Sequence, residues 1–144
     1  MHRELAKTIL LFSQGVEKSN RPEDRKLVND YLAVLAPLLA HTVIGDDILK
    51  EIGEIERLFG NTWVIDNSPF ETAFKNWRLF KEEYETFALS NMTVNERLFS
   101  LELIDVFDIA CKEKDESKIR EILERARVDN ESIDSIIKPI VKNG

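Results

Sequence analysis

The sequence predicts an all-α protein, a compact bundle of about seven helices, and three observations carry that expectation. Helix-start signals recur along the chain. The apolar residues behind them return with a 3.6-residue period. No two alternating apolar runs are joined by hairpin turn chemistry, and there is no internal repeat or low-complexity tract. At 144 residues and 43% hydrophobic, the chain is long enough to bury a core of its own. The default organisation is one domain over 1–144, with sub-modules 1–91 and 92–144 as the alternative division.

Leu5, Ile9, Phe12 and Val16 recur at i, i+4, i+7 and i+11, the stripe of an amphipathic first helix ending near Ser19. Pro22, Glu23 and Asp24 open a second helix, with proline in its first turn and acids at the positive end of its dipole. Its run YLAVLAPLLA, residues 31–40, carries no charge and is expected to be well buried, with a kink or end near Pro37, which lacks an N–H to donate. Gly45 then punctuates. Asp46 and Asp47 open a third helix, whose Ile48, Ile52, Ile55 and Phe59 form one apolar line before Gly60 stops it. The segment 60–67, GNTWVIDN, reads as a loop or short strand. Ser68, Pro69 and Glu71 make a capping box for a fourth helix, to about Leu89, which presents Phe70, Phe74, Trp77, Phe80, Tyr84 and Phe87 at helical spacing.

Thr93 and Glu96 stand at capping-box spacing, so a helix is expected from Val94 to Cys111. Leu98, Phe99, Leu101, Leu103, Ile104, Val106, Phe107 and Ile109 project around most of its circumference, the pattern of a central, largely buried helix. Lys114-Asp115 reads as a tight turn. Ile119, Ile122, Leu123 and Ala126 mark a short amphipathic helix, and Ile133, Ile136, Ile137, Ile140 and Val141 a last one, interrupted by Pro139.

Chemistry-bearing motifs are sparse. His2 and His41 stand alone, with no spacing that gathers metal ligands, and none of the five glycines lies in a phosphate-cradling loop. Cys111, the single cysteine, lies at the end of an apolar helix without an identifiable base. The expectation is therefore a non-enzyme, with no catalytic residues, no metal and no cofactor. The 27 acidic residues against 20 basic ones give a formal charge of -7, which opposes nucleic acid and anionic membrane and suits a basic partner. The N-terminus breaks its short apolar run with Lys7 and makes a poor signal peptide, so a cytoplasmic location is expected. Candidate partner-binding residues are Asp47, Glu51 and Glu54, which share a flank of the third helix, with Trp63 and Asp66 on the irregular segment beyond it. Such a charge run ordinarily means only a solvated flank, and Glu82, Glu83 and Glu85 form an equal-looking set.

The run MTVNERLF, residues 92–99, followed by Leu103, Asp105, Phe107, Asp108, Lys114-Asp115 and a helix ending at Val128, resembles small bacterial helical proteins that begin MTVNERL. Those proteins often carry a small residue soon after the motif, where this chain has Ser100-Leu101-Glu102. The likeness implies a helical module without a reaction. In size, acidity and helical content the whole chain is similar to immunity proteins of contact-dependent growth inhibition and other polymorphic toxin systems. That resemblance implies a cytoplasmic inhibitor whose partner is a cognate toxin domain, a ribonuclease first among them, because a nuclease needs a basic cleft that carboxylates and aromatics can mask. Two alternatives stand beside it. One is a helical regulatory or protein-interaction module. The other is a helix-turn-helix regulator over 94–127, against which Glu121 and Glu124 interleave the cations Lys118, Arg120, Arg125 and Arg127.

Overall fold

The computed structural model describes residues 2–142 and builds eight α-helices from them: α1 His2–Lys18, α2 Pro22–Ile44, α3 Leu49–Asn61, α4 Glu71–Leu89, α5 Val94–Ser100, α6 Ile104–Lys112, α7 Glu116–Arg125 and α8 Asn130–Lys142. A 3-10 turn, Ser68–Phe70, leads into α4, and no strand occurs among the described residues, so the chain is all-α. It divides within α4 into two compact units, the first closing at Glu85 and the second opening at Thr86.

The first unit is built on aromatic rings from four helices. Phe12, Tyr31, Phe59 and Phe74 meet in near-perpendicular pairs: Phe12 and Phe74 at 5.0 Å between centroids, Tyr31 and Phe59 at 4.7 Å, Phe59 and Phe74 at 5.4 Å. The stack continues along α4 through Trp77, Phe80 and Tyr84. Edge-to-face contact sets the positive ring edge on the negative face, worth about 0.5–1.5 kcal/mol per pair beyond area burial. The aromatic stripe of the fourth helix is thus core from Phe70 to Tyr84, while Phe87 is exposed.

Four expectations for this unit are corrected. The face that α1 buries is Leu5, Thr8, Phe12 and Gly15, not the stripe through Ile9 and Val16, because polar Thr8 earns its place by hydrogen bonding. Its hydroxyl donates to the Glu4 carbonyl at 2.9 Å and accepts from the Asn76 amide at 2.7 Å, tying α1 to α4. Helix α2 neither ends nor is well buried over 31–40. It runs through Pro37 to a left-handed Gly45, and Ala33, Val34, Ala36, Pro37 and Ala40 are exposed, with only Tyr31, Leu35 and Leu38 buried in that run. Helix α3 passes through Gly60 and stops at Asn61. The Ser68 hydroxyl does not cap α4; it donates to Asp66 at 2.7 Å, and the chain enters α4 through the 3-10 turn instead.

The second unit has its own buried cluster, in which Leu98, Leu103, Ala110, Ile119, Leu123, Val128, Ile133 and Ile137 take part. The long central helix expected over 94–111 is two helices, α5 and α6, and it is not covered all round: Phe99, Val106 and Ile109 are exposed. Glu102, with φ 58°, turns the chain between them, and Leu103 N–H donates to the Leu98 carbonyl at 2.7 Å. The same device recurs twice. Lys114 (φ 53°) ends α6 with Asp115 N–H on the Ala110 carbonyl, and Arg127 (φ 60°) ends α7 with Val128 N–H on the Leu123 carbonyl, each at 3.0 Å. These are the six-to-one bonds that close a helix behind a left-handed residue, a position glycine usually holds. With Glu, Lys and Arg there instead, the glycine signal is missing; the turn expected at Lys114-Asp115 is present, and the break at Glu102 is the unexpected one.

The MTVNERL run is explained by architecture. Thr93 accepts from Glu96 N–H and Glu96 accepts from Thr93 N–H, both at 3.2 Å, completing the capping box. The Arg97 guanidinium donates to the carbonyls of Met92 at 3.1 Å and Arg127 at 2.9 Å, satisfying an orphan acceptor past the end of α7. Leu98 enters the buried cluster.

Candidate functional site

The surfaces of the first unit that could receive a partner lie on the two flanks of α3. The helical repeat puts Glu51, Glu54 and Leu58 on one flank and Glu56, Phe59 and Gly60 on the other, with Ile52 and Ile55 buried between. On the first flank, a groove of about 150 Å³ runs between α3 and α2. Its walls are Val34, Pro37, Leu38, Ile55 and Leu58, and His41, Glu51 and Glu54 supply the polar groups. Glu51 Oε2 is shut away from solvent yet accepts no hydrogen bond. An acceptor left in that state costs about 1–3 kcal/mol, more when charged. Beside the groove, α2 presents Ala33, Ala36, Ala40, Val43 and Ile44 to solvent without a charged residue among them. Pro37 lies on this face and leaves the Ala33 carbonyl without its helical N–H partner.

On the other flank, Trp63 is 78% exposed and lines a cleft with Glu56, Phe59, Phe74, Lys75 and Trp77. The Trp77 indole N–H donates to Glu56 at 2.5 Å, and Lys81 stands 3.6 Å from the other oxygen of that carboxylate. The backbone just beyond Trp63 is held by a residue that sequence reasoning used only as a helix-dipole acid. Asp24, 1% exposed in the first turn of α2, accepts from the backbone N–H of Ile65 at 2.7 Å and of Asp66 at 3.0 Å. The Tyr31 and Thr62 hydroxyls meet at 2.6 Å and fasten the start of the same segment. No local pattern announces a bond across forty positions.

The five residues proposed from sequence therefore do not form one patch. Glu51 and Glu54 share the groove. Asp47 is exposed at the head of α3, where its carboxylate accepts from Leu49 N–H at 3.1 Å. Trp63 belongs to the opposite flank. Asp66 is occupied locally: the Ser68 hydroxyl, then the Ser68 N–H, hold its carboxyl below the usual aspartate value. Near the groove, burial pushes the Tyr84 phenol up, opposed by a bond from Ile48 N–H at 3.1 Å and reinforced by the charges of Asp47 and Glu51. Burial, followed by Asp108, likewise raises the Cys111 thiol, which disfavours the reactive thiolate.

No protein-family model, curated protein or solved structure matches this chain. Its residues alone carry the functional argument. Among the described residues no three His, Cys, Asp or Glu side chains gather as a metal site would require. One helix, α2, is long and apolar enough to cross a membrane by length and composition, although Asp24 is buried against the protein's own loop and residues 23–26 carry four charges.

Proposed function

We propose that the chain is an inhibitor acting by protein–protein contact: an immunity protein that binds a cognate toxin domain with a basic active-site cleft, a ribonuclease first among them. The observation that supports this best is the uncharged, exposed face of α2 lying beside carboxylates of α3. Monomeric proteins rarely expose contiguous apolar surface without a use for it, and an apolar core rimmed by charge is the composition of a binding patch. The formal charge of -7 would speed approach to a cationic cleft and keep the chain off nucleic acid. The helix-turn-helix alternative is not favoured, because Arg120 is held by Asp134 at 2.6 Å and Lys118 by Glu121 at 3.7 Å, which spends the cations that phosphates would need.

The test is co-production in one bacterial cell with the toxin domain encoded by the adjoining reading frame. The full chain should restore growth and co-purify with that domain. Adjoining frames that encode no such domain, or a toxin that kills despite the full chain, would refute the reading.

A further inference from the structure

We infer that the α2–α3 groove receives a single arginine or lysine projecting from an amphipathic helix of the partner, with that helix lying along the exposed face of α2. The inference rests on the reading of the first unit as an inhibitor's contact surface and goes on to say what it contacts. Three observations carry it. At about 150 Å³ the groove is well below the roughly 300–1,000 Å³ of small-molecule sites, and it has room for one long side chain. Its walls are apolar over Val34, Pro37, Leu38, Ile55 and Leu58, matching the methylene stem of such a side chain. Glu51 and Glu54 are among its lining residues, so charge complementarity calls for a cation carrying N–H groups.

The α2 face decides the form of the partner segment. From Ala33 to Ile44 it is uncharged, and Ala33, Ala36 and Ala40 recur along it, so a second helix can approach closely there. A helix laid there presents residues at i, i+3, i+4 and i+7 to α2 and can turn one long side chain from that line into the groove. A second copy of this chain fits less well, since each protomer would bring the same carboxylates and the same net charge of -7.

The probe is a displayed library of randomised amphipathic helical peptides about four turns long, panned against the full-length chain. Enriched peptides should carry one Arg or Lys among apolar residues at helical spacing. Their affinity should fall by about tenfold or more on Glu51→Gln, because a buried charge pair loses one member. Pro37→Glu, which places a charge on the α2 face and restores a helix N–H, should abolish binding, with neither variant melting below the parent. No enrichment, peptides lacking a cation, equal binding to the Glu51→Gln chain, or a footprint at Trp63 would overturn the inference. So would sedimentation showing a dimer that Pro37→Glu disperses. The two readings fail separately. If the Glu51→Gln chain protects cells as well as the parent, the groove assignment falls and the inhibitor reading stands; if the peptides bind as described but the chain protects against no toxin, the reverse holds.

Discussion

Gly15 offers the sharpest check on the packing of the first unit. A Cβ built there would lie 2.5 Å and 2.7 Å from two carbons of the Phe70 ring and 2.6 Å from the Pro69 carbonyl oxygen. None of these can step aside cheaply: the Phe70 ring is fully buried, and the oxygen belongs to the backbone of the 3-10 turn. In an unconstrained helix, Gly→Ala gains about 0.5–1 kcal/mol. Here overpacking costs about 1–3 kcal/mol and must exceed that gain, because α1 and the 3-10 turn have to separate by the best part of an ångström. We expect Gly15→Ala to destabilise the unit by about 1–2 kcal/mol, which for a domain of this size lowers Tm by roughly 5–15 °C. Gly53→Ala is the control. Its Cβ would meet nothing nearer than the Arg57 guanidinium at 4.0 Å, so it should stabilise by about 0.5–1 kcal/mol. Both tryptophans, Trp63 and Trp77, belong to the first unit, so tryptophan fluorescence during thermal and urea melts of the full chain reports on it selectively. A Gly15→Ala protein melting at or above the parent, with Gly53→Ala behaving as stated, would refute the close approach.

Asp24→Ala should cost about 2–4 kcal/mol, since it strips two backbone N–H groups of a buried charged acceptor, and Asp24→Asn should recover only part because its amide can accept at one of them. Hydrogen exchange at the Ile65 and Asp66 amides checks this; unchanged protection in Asp24→Ala would rule out the anchoring role. Lys114→Gly should raise the stability of the second unit by about 0.5–1 kcal/mol, because its φ of 53° is a left-handed conformation that glycine adopts freely, and a lower melting point would count against the turn geometry. Cys111 should alkylate with iodoacetamide more slowly than an unhindered thiol at pH 8, its rate rising only above the ordinary cysteine pKa; a rate equal to that of a free thiol would contradict its burial beside Asp108.

By itself the sequence determined the helical class, and most helix starts and core positions that local chemistry encodes. Period and capping are properties of neighbouring residues, so Ile48, Ile52 and Ile55, the stripe from Phe70 to Tyr84, and the Thr93–Glu96 box are all where their spacing puts them. What it could not determine depended on partners far along the chain or on backbone states that side chains do not advertise. The break at Glu102 has no local signal because a glutamate occupies a glycine-like conformation, its turn closed by Leu98 and Leu103 packing into the same cluster. Thr8 and Gly15 do not read as core, because polarity and small size argue against burial until Asn76 and Phe70 arrive from α4 and the turn before it. The uncharged run of α2 read as buried, since hydropathy records what a residue would prefer to contact; only the tertiary structure shows that nothing in the first unit covers Ala33, Pro37 and Ala40. The candidate acids separated for the same reason. Spacing places Glu51 and Glu54 on one helix flank, but that this flank faces α2 while Trp63 opens on the other side was decided by how α3 packs and by the Asp24 carboxylate that fixes the loop beyond it.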